Sequence, residues 1–316
     1  MLNKITLLID GNNTLHRTHW IANNTGKQLI NSKGVNVGSI FTFVKAIKSY
    51  VDQFNANEVF IAWDRKLTRE IPNFRNTLTS GTYKGTRDQE RNKDVYGSMD
   101  EILAIVDLLG VKNIFPGHLE ADDVISWLSK NNTGKKIIIS VDRDFIQLVS
   151  PDISYYNPIK KQLIDHINFN EVFELTPREY LYYKAIVGDK SDNIPGVEGF
   201  GEVKGIKLAK AYRAYVDNES ISEKDRETIT ANNAVIENNL KLMDLSYGLM
   251  QFPNEVALYD SQIKNLESFE PDFNKFKEVC QELEFNSILN KIEDWQASFL
   301  KNQNDNILAG YFKAFE

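Results

Sequence analysis

The sequence has almost no cysteine and no long apolar run, and each shortage excludes a class of protein. One cysteine, Cys280, occurs in 316 residues, which excludes an internal disulfide framework and suits a reducing cytoplasm. No apolar run approaches the roughly 20 residues of a membrane helix, so no membrane partner is expected. The apolar stretch at the N-terminus is too short for a signal peptide and is predicted to be the first strand.

The chain also lacks an excess of positive charge, since its net charge is −7. Positive charge is instead concentrated in residues 65–93, where eight basic and three acidic residues give +5. Phe74 and Tyr83 are interleaved with these bases, a pattern typical of a surface that follows phosphates and stacks on bases. The alternative is a solvated linker or surface helix.

Three predicted strands each run into an aspartate. Leu7 to Ile9 precede Asp10, Val59 to Trp63 precede Asp64, and Ile137 to Val141 precede Asp142 and Asp144. Helical spacing between them, as in residues 37–54, predicts an α/β fold with a mostly parallel central sheet flanked by helices. Parallel pairing would bring these acids to one edge, where α/β proteins bind ligands. The alternative for Asp142 alone is a helix cap.

A further acidic group opens a predicted helix at Glu120, with Asp122 and Asp123 expected opposite its apolar stripe. Acids in a first turn are also favoured by the helix dipole, which is the structural alternative. Residues 10–17 are predicted to form a polar turn that returns Arg17 toward the acidic edge.

A glycine-rich segment follows at residues 188–212, GDKSDNIPGVEGFGEVKGIKLAKAY. Its glycines, including Gly199 and Gly201, permit a tight turn before a helix that begins near Glu202. Such a helix-hairpin-helix holds a phosphate on backbone N–H groups, with Lys204 and Lys207 nearby.

Nine carboxylates are predicted at or near this edge: Asp10, Asp64, Glu120, Asp122, Asp123, Asp142, Asp144, Asp189 and Asp192. Two unit charges about 4 Å apart repel by roughly 4 kcal/mol at an effective dielectric near 20, so cations are required. Oxygen ligands select Mg²⁺ or Mn²⁺ over Zn²⁺, and each Mg²⁺ takes one or two carboxylates. Nine acids therefore predict two Mg²⁺ ions, with Mn²⁺ able to substitute, and hydrolysis of a phosphodiester.

The ordered motifs resemble the flap endonuclease and 5′-exonuclease superfamily, particularly the phage enzymes and the 5′-nuclease domain of bacterial DNA polymerase I. The motifs are DGNNTLHR at 10–17, AWD at 62–64, FR at 74–75, YKGTR at 83–87, EADD at 120–123, SVDRDFIQL at 140–148 and GDKSDNIPGVEGFG at 188–201. The resemblance implies an α/β nuclease core over residues 1–175, with a helical arch at 65–98. It also implies a helical region over 176–316 that contains the hairpin at 184–213.

The resemblance also implies roles for individual residues. The first metal site would use Asp10, Asp64, Glu120, Asp122, Asp123 and Asp142, and the second Asp144, Asp189 and Asp192, with Asp142 and Asp123 shared. Catalytic roles at the scissile phosphate or in threading the strand would fall to Arg17, Tyr83, Lys84 and Arg87. DNA contacts would fall to Arg75, Gly199, Gly201, Lys204 and Lys207. Val203 departs from the family pattern because it stands where relatives have lysine.

The expected activity is a Mg²⁺-dependent nuclease that cleaves 5′ flaps or 5′ ends of DNA, including RNA primers in RNA–DNA hybrids, and leaves 5′-phosphates. We expect a freestanding cytoplasmic monomer, in the host cytoplasm if it is phage-encoded. The alternatives are a PIN-type ribonuclease and an inactive protein that binds branched DNA. Leu308, Tyr311 and Phe312 near the C-terminus have the spacing of a sliding-clamp peptide, the alternative being packing on the nuclease body. A clamp or single-strand-binding protein is therefore a candidate partner.

Overall fold

The computed structural model describes residues 4–24, 28–64, 74–79, 83–84, 94–267 and 270–300. Its centre is a six-stranded sheet with the order β3-β2-β1-β4-β5-β6, in which only β6 is antiparallel to its neighbour. The strands are β1 (Ile5–Asp10), β2 (Glu58–Ala62), β3 (Lys112–Ile114), β4 (Lys135–Ile139), β5 (Ile153–Asn157) and β6 (Gln162–Ile164). The predicted α/β class and mostly parallel sheet are confirmed.

Six α-helices that begin before residue 176 lie between or after these strands in the described part of the chain. They are α1 (Gly11–Asn24), α2 (Gly38–Phe54), α3 (Phe74–Leu78), α4 (Met99–Asp107), α5 (Ala121–Asn131) and α6 (Phe169–Phe173), together with 3₁₀ turns at Val95–Ser98 and Arg143–Leu148. The chain adds strands on one side of β1 and then, from β4, on the other. The space between β1 and β4 is therefore the point where the strand order reverses, the usual ligand crevice of such sheets.

The elements that follow residue 176 are mostly helices. They are α7 (Pro177–Val187), the short strands β7 (Gly188–Asp189) and β8 (Ile194–Pro195), α8 (Glu202–Val216), α9 (Glu223–Met243), α10 (Tyr247–Gln251), α11 (Pro253–Glu267), α12 (Phe273–Glu282), α13 (Asn286–Leu289) and α14 (Ile292–Phe299). None of the helices within the described ranges is long and apolar enough to cross a membrane.

Two apolar layers cover the two faces of the sheet. Alternate strand residues such as Leu8 and Ile9 point to opposite layers, as the two-residue period of a strand requires. One layer joins α5 to α7, α8 and α9, and the other joins α2 and α4 to α12 and α14. The helical region therefore extends both layers of the nuclease core, and the predicted boundary near residue 175 does not separate two cores.

The predicted polar turn at residues 10–17 is wrong, because α1 begins at Gly11. A Cβ at Gly11 would lie 2.6 Å from Trp63 and 2.8 Å from the Ala62 carbonyl oxygen, so glycine lets this helix start against β2. The Asp10 carboxylate accepts the Asn13 N–H at 3.0 Å and caps the first turn. Arg87, most of the arch and the C-terminal clamp-like segment lie outside the described residues.

Candidate active site

The ends of β1 and β4 bring Asp10 and Asp142 together at the point where the strand order reverses. Ser140 lies between them, since its hydroxyl donates to Asp10 Oδ2 at 2.8 Å and accepts the Asp142 N–H at 3.0 Å. Asp142 Oδ1 in turn accepts the Asp144 N–H at 2.8 Å, which fixes the turn after the strand. One hydroxyl therefore sets the spacing of two carboxylates from neighbouring strands.

Asp64, two residues beyond β2, joins this edge to the start of α5. Its Oδ1 accepts the Ala121 N–H at 2.8 Å, the first amide of the helix. A carboxylate is favoured there because helix N-termini carry unpaired N–H groups and partial positive charge. This contact places Asp64 beside Glu120, the N-cap residue, and near Asp122 in the first turn.

Asp10, Asp64, Asp122 and Asp142 form the first acid group, whose charges disfavour one another. Burial, with the charges of Asp64 and Asp142, raises the pKa of Asp10 to about 7. Burial and the charges of Asp142 and Asp10 likewise raise the pKa of Asp122 well above its usual range. This group would therefore be stabilised by a cation.

Asp144, Asp189 and Asp192 form the second acid group, and a lysine lies among them. Lys184, in α7, lies 3.0 Å from Asp144 Oδ1 and forms a closer ion pair with Asp189 Oδ2. Burial and the Asp142 charge raise the pKa of Asp144 to about 6. Burial alone would raise the pKa of Asp189, but Lys184 and Ser191 lower it to about 2.

Glu120 lies next to the first acid group and contacts the two described residues of the arch motif YKGTR. Its Oε1 pairs with the Lys84 ammonium at 2.7 Å, and its Oε2 accepts the Tyr83 hydroxyl at 3.1 Å. Burial would raise the pKa of Glu120, but Lys84 and Arg75 lower it to about 2. Lys84 has a φ of 53°, an uncommon backbone conformation for a non-glycine residue that often marks functional sites.

Tyr83 and Lys84 also reach the second acid group. The Tyr83 hydroxyl contacts Asp192 Oδ2 at 3.3 Å, and the Lys84 N–H donates to the Asp192 carbonyl at 3.2 Å. The two residues therefore link Glu120, beside the first acid group, to Asp192 of the second. The predicted stacking role of Tyr83 and Phe74 is wrong in this structure, because both rings are buried.

The structure corrects the roles predicted for Asp123 and Arg75. Asp123 is 0% exposed, and its two oxygens accept Arg75 N–H groups at 2.7 and 2.8 Å. Arg75 is 1% exposed and also donates to the Leu242 carbonyl at 2.8 Å. Because Asp123 is buried and held by Arg75, it is not open to a bound ion in this structure, and Arg75, which also contacts Glu120 Oε2 at 3.0 Å, does not reach a DNA surface. The pair instead joins α3, α5 and α9.

The remaining predicted residues divide between the interior and the surface. Arg17 donates to the Tyr50 hydroxyl of α2 and lies over that ring. Gly199 and Gly201 precede α8 in an exposed turn, and Lys204 and Lys207 lie exposed in its first turns. Gly199 has a φ of 78°, which favours glycine, and Val203 is 83% exposed.

The carboxylates fit a divalent metal by donor type and by charge. Oxygen donors suit Mg²⁺, Mn²⁺ or Ca²⁺, and a cation would offset the negative charge of buried Asp10 and half-buried Asp122. Within the described part of the chain, no three acidic, histidine or cysteine side chains already close on one ion. A Mg²⁺ ion at this edge would therefore take one or two of these carboxylates and keep several waters.

Three polar residues of this region were not predicted from the sequence. Ser140 and Lys184 order the acids, and Asn239 supports the hairpin from α9. The position of Lys184, five residues before Asp189, could have indicated its ion pair from the sequence. Nothing in the sequence around Asn239 indicates its role. Asn239 is 1% exposed and donates to the carbonyls of Ala185 and Pro195, each at 2.8 Å.

Replacing Asn239 with alanine should destabilise the chain by about 1–3 kcal/mol, because the carbonyls of Ala185 and Pro195 would lose the donor that this buried side chain supplies. Urea unfolding measures this loss. Asn238→Ala is the matched control, since Asn238 is an exposed neighbour on the same helix. Equal stability of the two variants would contradict the supporting role of Asn239.

Carboxylates at the ends of parallel strands, with lysines at the same edge, are typical of the active sites of metal-dependent hydrolases. A sequence model described as "5'-3' exonuclease, N-terminal resolvase-like domain" matches residues 5–175, more than half of the chain. The chain belongs to the 5′-3′ exonuclease family.

Among its relatives, the 5′-3′ exonuclease of Aquifex aeolicus is 29% identical over 297 residues, covering 92% of this chain and 96% of that protein. The thermostable DNA polymerase I of Thermus caldophilus is 31% identical over 294 residues, covering 90% of this chain. The chain spans 33% of the length of that polymerase.

Solved structures with the same fold include a flap endonuclease of bacteriophage T5 in a pseudo-enzyme-product complex with DNA and metal ions. It matches with a TM-score of 0.64 and 19% identity, covering 83% of this chain and 98% of that one. The T5 5′-exonuclease with bound zinc matches with a TM-score of 0.63 and 21% identity, covering 84% and 99%. At these identities the similarity establishes the fold.

Proposed function

We propose that this chain is a divalent-metal-dependent 5′ nuclease that cleaves 5′ flaps and 5′ ends of DNA, and removes RNA primers during replication. The observation that carries the proposal is the first acid group, which gathers carboxylates from the ends of β1, β2 and β4 and the start of α5. Glu120 and Lys84 lie beside this group, and the hairpin follows directly from the second acid group.

Magnesium is the proposed cofactor, with manganese able to replace it. Asp10, Asp122 and Asp142 would hold one ion, with Asp64 and Glu120 beside them, and Asp144, Asp189 and Asp192 would hold a second. When bound, such ions neutralise phosphate charge and activate a water for in-line displacement at phosphorus. The second group already holds the Lys184 ammonium, so a cation entering there would compete with an internal positive charge.

The chain's own residues bind and orient the substrate. The Lys84 ammonium, held at Glu120 in the free protein, would stabilise the negative charge that develops on the phosphoryl oxygens. Arg87, from the same YKGTR motif, would act with it. The exposed turn at Gly199 and Gly201 would present the first N–H groups of α8 to a backbone phosphate, with Lys204 and Lys207 beside it.

The proposed substrates are branched DNA with a 5′ flap, free 5′ ends and RNA–DNA hybrids, and the proposed active form is a monomer. The T5 flap endonuclease, which shares this fold, forms a complex with DNA and metal ions, and that complex supports a DNA substrate here. A sliding clamp or single-strand-binding protein is the proposed protein partner.

The experiment that tests this function incubates three labelled substrates with the full chain and Mg²⁺. They are a 5′-flap DNA, a nicked duplex and a single-stranded RNA, each labelled at the 5′ end. We expect cleavage of the flap near its junction and release of short products from the nicked duplex. Failure to cut either DNA would contradict the proposal, and preferential cutting of single-stranded RNA would favour a PIN-type ribonuclease.

Magnesium should raise the melting temperature of the DNA-free protein, and the increase should be larger at about pH 8 than at about pH 6. The pKa of Asp10 is raised from 3.8 to about 7, and that of Asp144 to about 6. At pH values between 3.8 and the raised pKa of each group, the unfolded chain binds fewer protons than the folded chain. The metal-free fold therefore loses stability as the pH rises through this range. Above this pH range both carboxylates are ionised, and bound magnesium would offset their repulsion.

Thermal melts with Mg²⁺ or with a chelator, at both pH values, measure this effect. Glu120 and Asp189 have pKa values lowered to about 2, so their contributions to stability are lost only in stronger acid. A magnesium shift that is absent, or that is larger at the lower pH, would contradict a clustered carboxylate site.

A further inference from the structure

The loop between β3 and α5 delivers Glu120 and Asp122 to the proposed active site, and α11 binds its backbone. Gln262 accepts the Phe115 N–H at 2.9 Å and donates to the Phe115 carbonyl at 2.7 Å. Glu255, on the same helix, accepts the Gly117 N–H at 2.8 Å and the His118 N–H at 2.6 Å. Two side chains of one helix therefore satisfy four backbone groups of this loop.

These contacts account for every backbone donor of residues 115–118, because Pro116 has no N–H. Glu255 is 2% exposed, and a buried carboxylate is tolerated when hydrogen bonds satisfy it. A Cβ at Gly117 would lie 2.6 Å from Glu255 Oε1, so glycine permits the close approach of loop and carboxylate. The glycine and the proline of the loop therefore fit the positions of the α11 side chains that bind its backbone.

Aromatic contacts hold α11, and the residue before it, against the loop and α5. The His118 ring stacks on Phe252 with centroids 5.8 Å apart and an interplanar angle of 15°. Tyr259, on α11, packs against Trp127 of α5 with centroids 5.4 Å apart. The loop is therefore held between α11 and α5, and Glu120 follows two residues after His118.

We propose that Glu255 and Gln262 are positioning residues for the metal edge: by fixing the backbone of residues 115–118, they set where α5 begins and where its carboxylates lie. This inference rests on the proposed function. Both residues act through the loop backbone, and α11 lies outside residues 5–175 that the family's sequence model matches. Residues that hydrogen-bond metal ligands typically change metal affinity or activity by about 10- to 100-fold when substituted, and we expect residues that place the ligands' backbone to act on the same scale.

Glu255→Gln is the main test because it keeps the size of the side chain but replaces one acceptor oxygen with a donor that faces a backbone N–H. Gln262→Met, which keeps the length and removes both hydrogen bonds, is the second variant should the first fail to fold. Asp260→Asn is the matched control, since Asp260 is an exposed acid on the same helix.

Two readouts separate positioning from a purely structural contribution. The first is Mn²⁺ binding to the DNA-free protein, measured by electron paramagnetic resonance of the free ion. The second is the kcat and KM for 5′-flap DNA at several Mg²⁺ concentrations. We expect Glu255→Gln to weaken Mn²⁺ binding and raise the Mg²⁺ requirement by about 10- to 100-fold, with KM for DNA changed by less than about twofold.

The control variant should match the wild type in both measurements. A lower melting temperature in folded Glu255→Gln or Gln262→Met, with Mn²⁺ binding and kcat unchanged, would overturn the inference and leave only a structural contact. Weakened Mn²⁺ binding in a chain whose wild type cuts no DNA would support the positioning role while contradicting the proposed nuclease function.

Discussion

Asp142→Asn should lower the rate of flap cleavage by about 10³-fold, because electrostatic stabilisation by a bound metal is worth several kcal/mol and each 1.36 kcal/mol is tenfold. Asp142 is the acid whose charge reaches both groups: it raises the pKa values of Asp10 and Asp122 on one side and of Asp144 on the other. The asparagine oxygen can still accept the Asp144 N–H, so the turn after β4 should persist. Single-turnover cleavage at saturating protein measures the chemical step.

The same variant should melt at a higher temperature than the wild type in a chelator, since one source of carboxylate repulsion is removed. Asp152→Asn is the matched control, an exposed acid in the turn before β5. Near-wild-type cleavage by Asp142→Asn would contradict its place at the centre of the site. A loss of cleavage accompanied by a lower melting temperature would point instead to damage to the fold.

Lys84→Met should reduce single-turnover cleavage by about 10²- to 10³-fold, the usual effect of removing one group that stabilises charge in the transition state. Methionine keeps most of the length of the side chain without its charge. Lys84 is paired with Glu120 at 2.7 Å, so its removal should also free that carboxylate for a cation. Flap binding, measured by fluorescence anisotropy in Ca²⁺, should change much less than the rate.

Lys135→Met is the matched control because Lys135 is exposed at the opposite end of the sheet, where β4 begins. An equal loss of rate and of DNA affinity in Lys84→Met would assign Lys84 to binding alone. Tighter Mn²⁺ binding in the slowed variant would support competition between the Lys84 ammonium and a cation at Glu120.

The acidic edge was predictable from sequence because its signals are local. Apolar runs that lead into Asp10 and Asp142 identify buried parallel strands, and parallel pairing brings their ends together. Asp123 accepts the Glu120 N–H at 3.1 Å, as the third residue of a helix does in a capping box, so the start of α5 is also determined by local sequence. The resemblance to the family's motifs then gave each acid a predicted place in one of two metal sites.

The errors concern partners that are distant in sequence. Arg75 and Asp123 are 48 residues apart, and no local pattern shows that they enclose each other. Lys184 lies 40 residues beyond Asp144 along the chain, and its ion pair depends on the packing of α7 against the turn after β4. The start of α1 was not predicted because the buried side of this helix includes the polar residues Thr14 and Thr18, so the apolar spacing of a helix is weak there. Threonine can be buried in a helix because its hydroxyl bonds to the preceding turn, as the Thr18 hydroxyl donates to the Thr14 carbonyl at 2.8 Å.

The most direct test of the metal edge is an anomalous difference map from crystals of the full chain grown with Mn²⁺. We predict one peak in contact with carboxylates of the first acid group, at Asp10, Asp122 or Asp142. A second peak should lie at Asp144 and Asp189, with the Lys184 ammonium displaced from between them. Full Mn²⁺ occupancy elsewhere on the protein, with no peak at the ends of β1 and β4, would contradict the account.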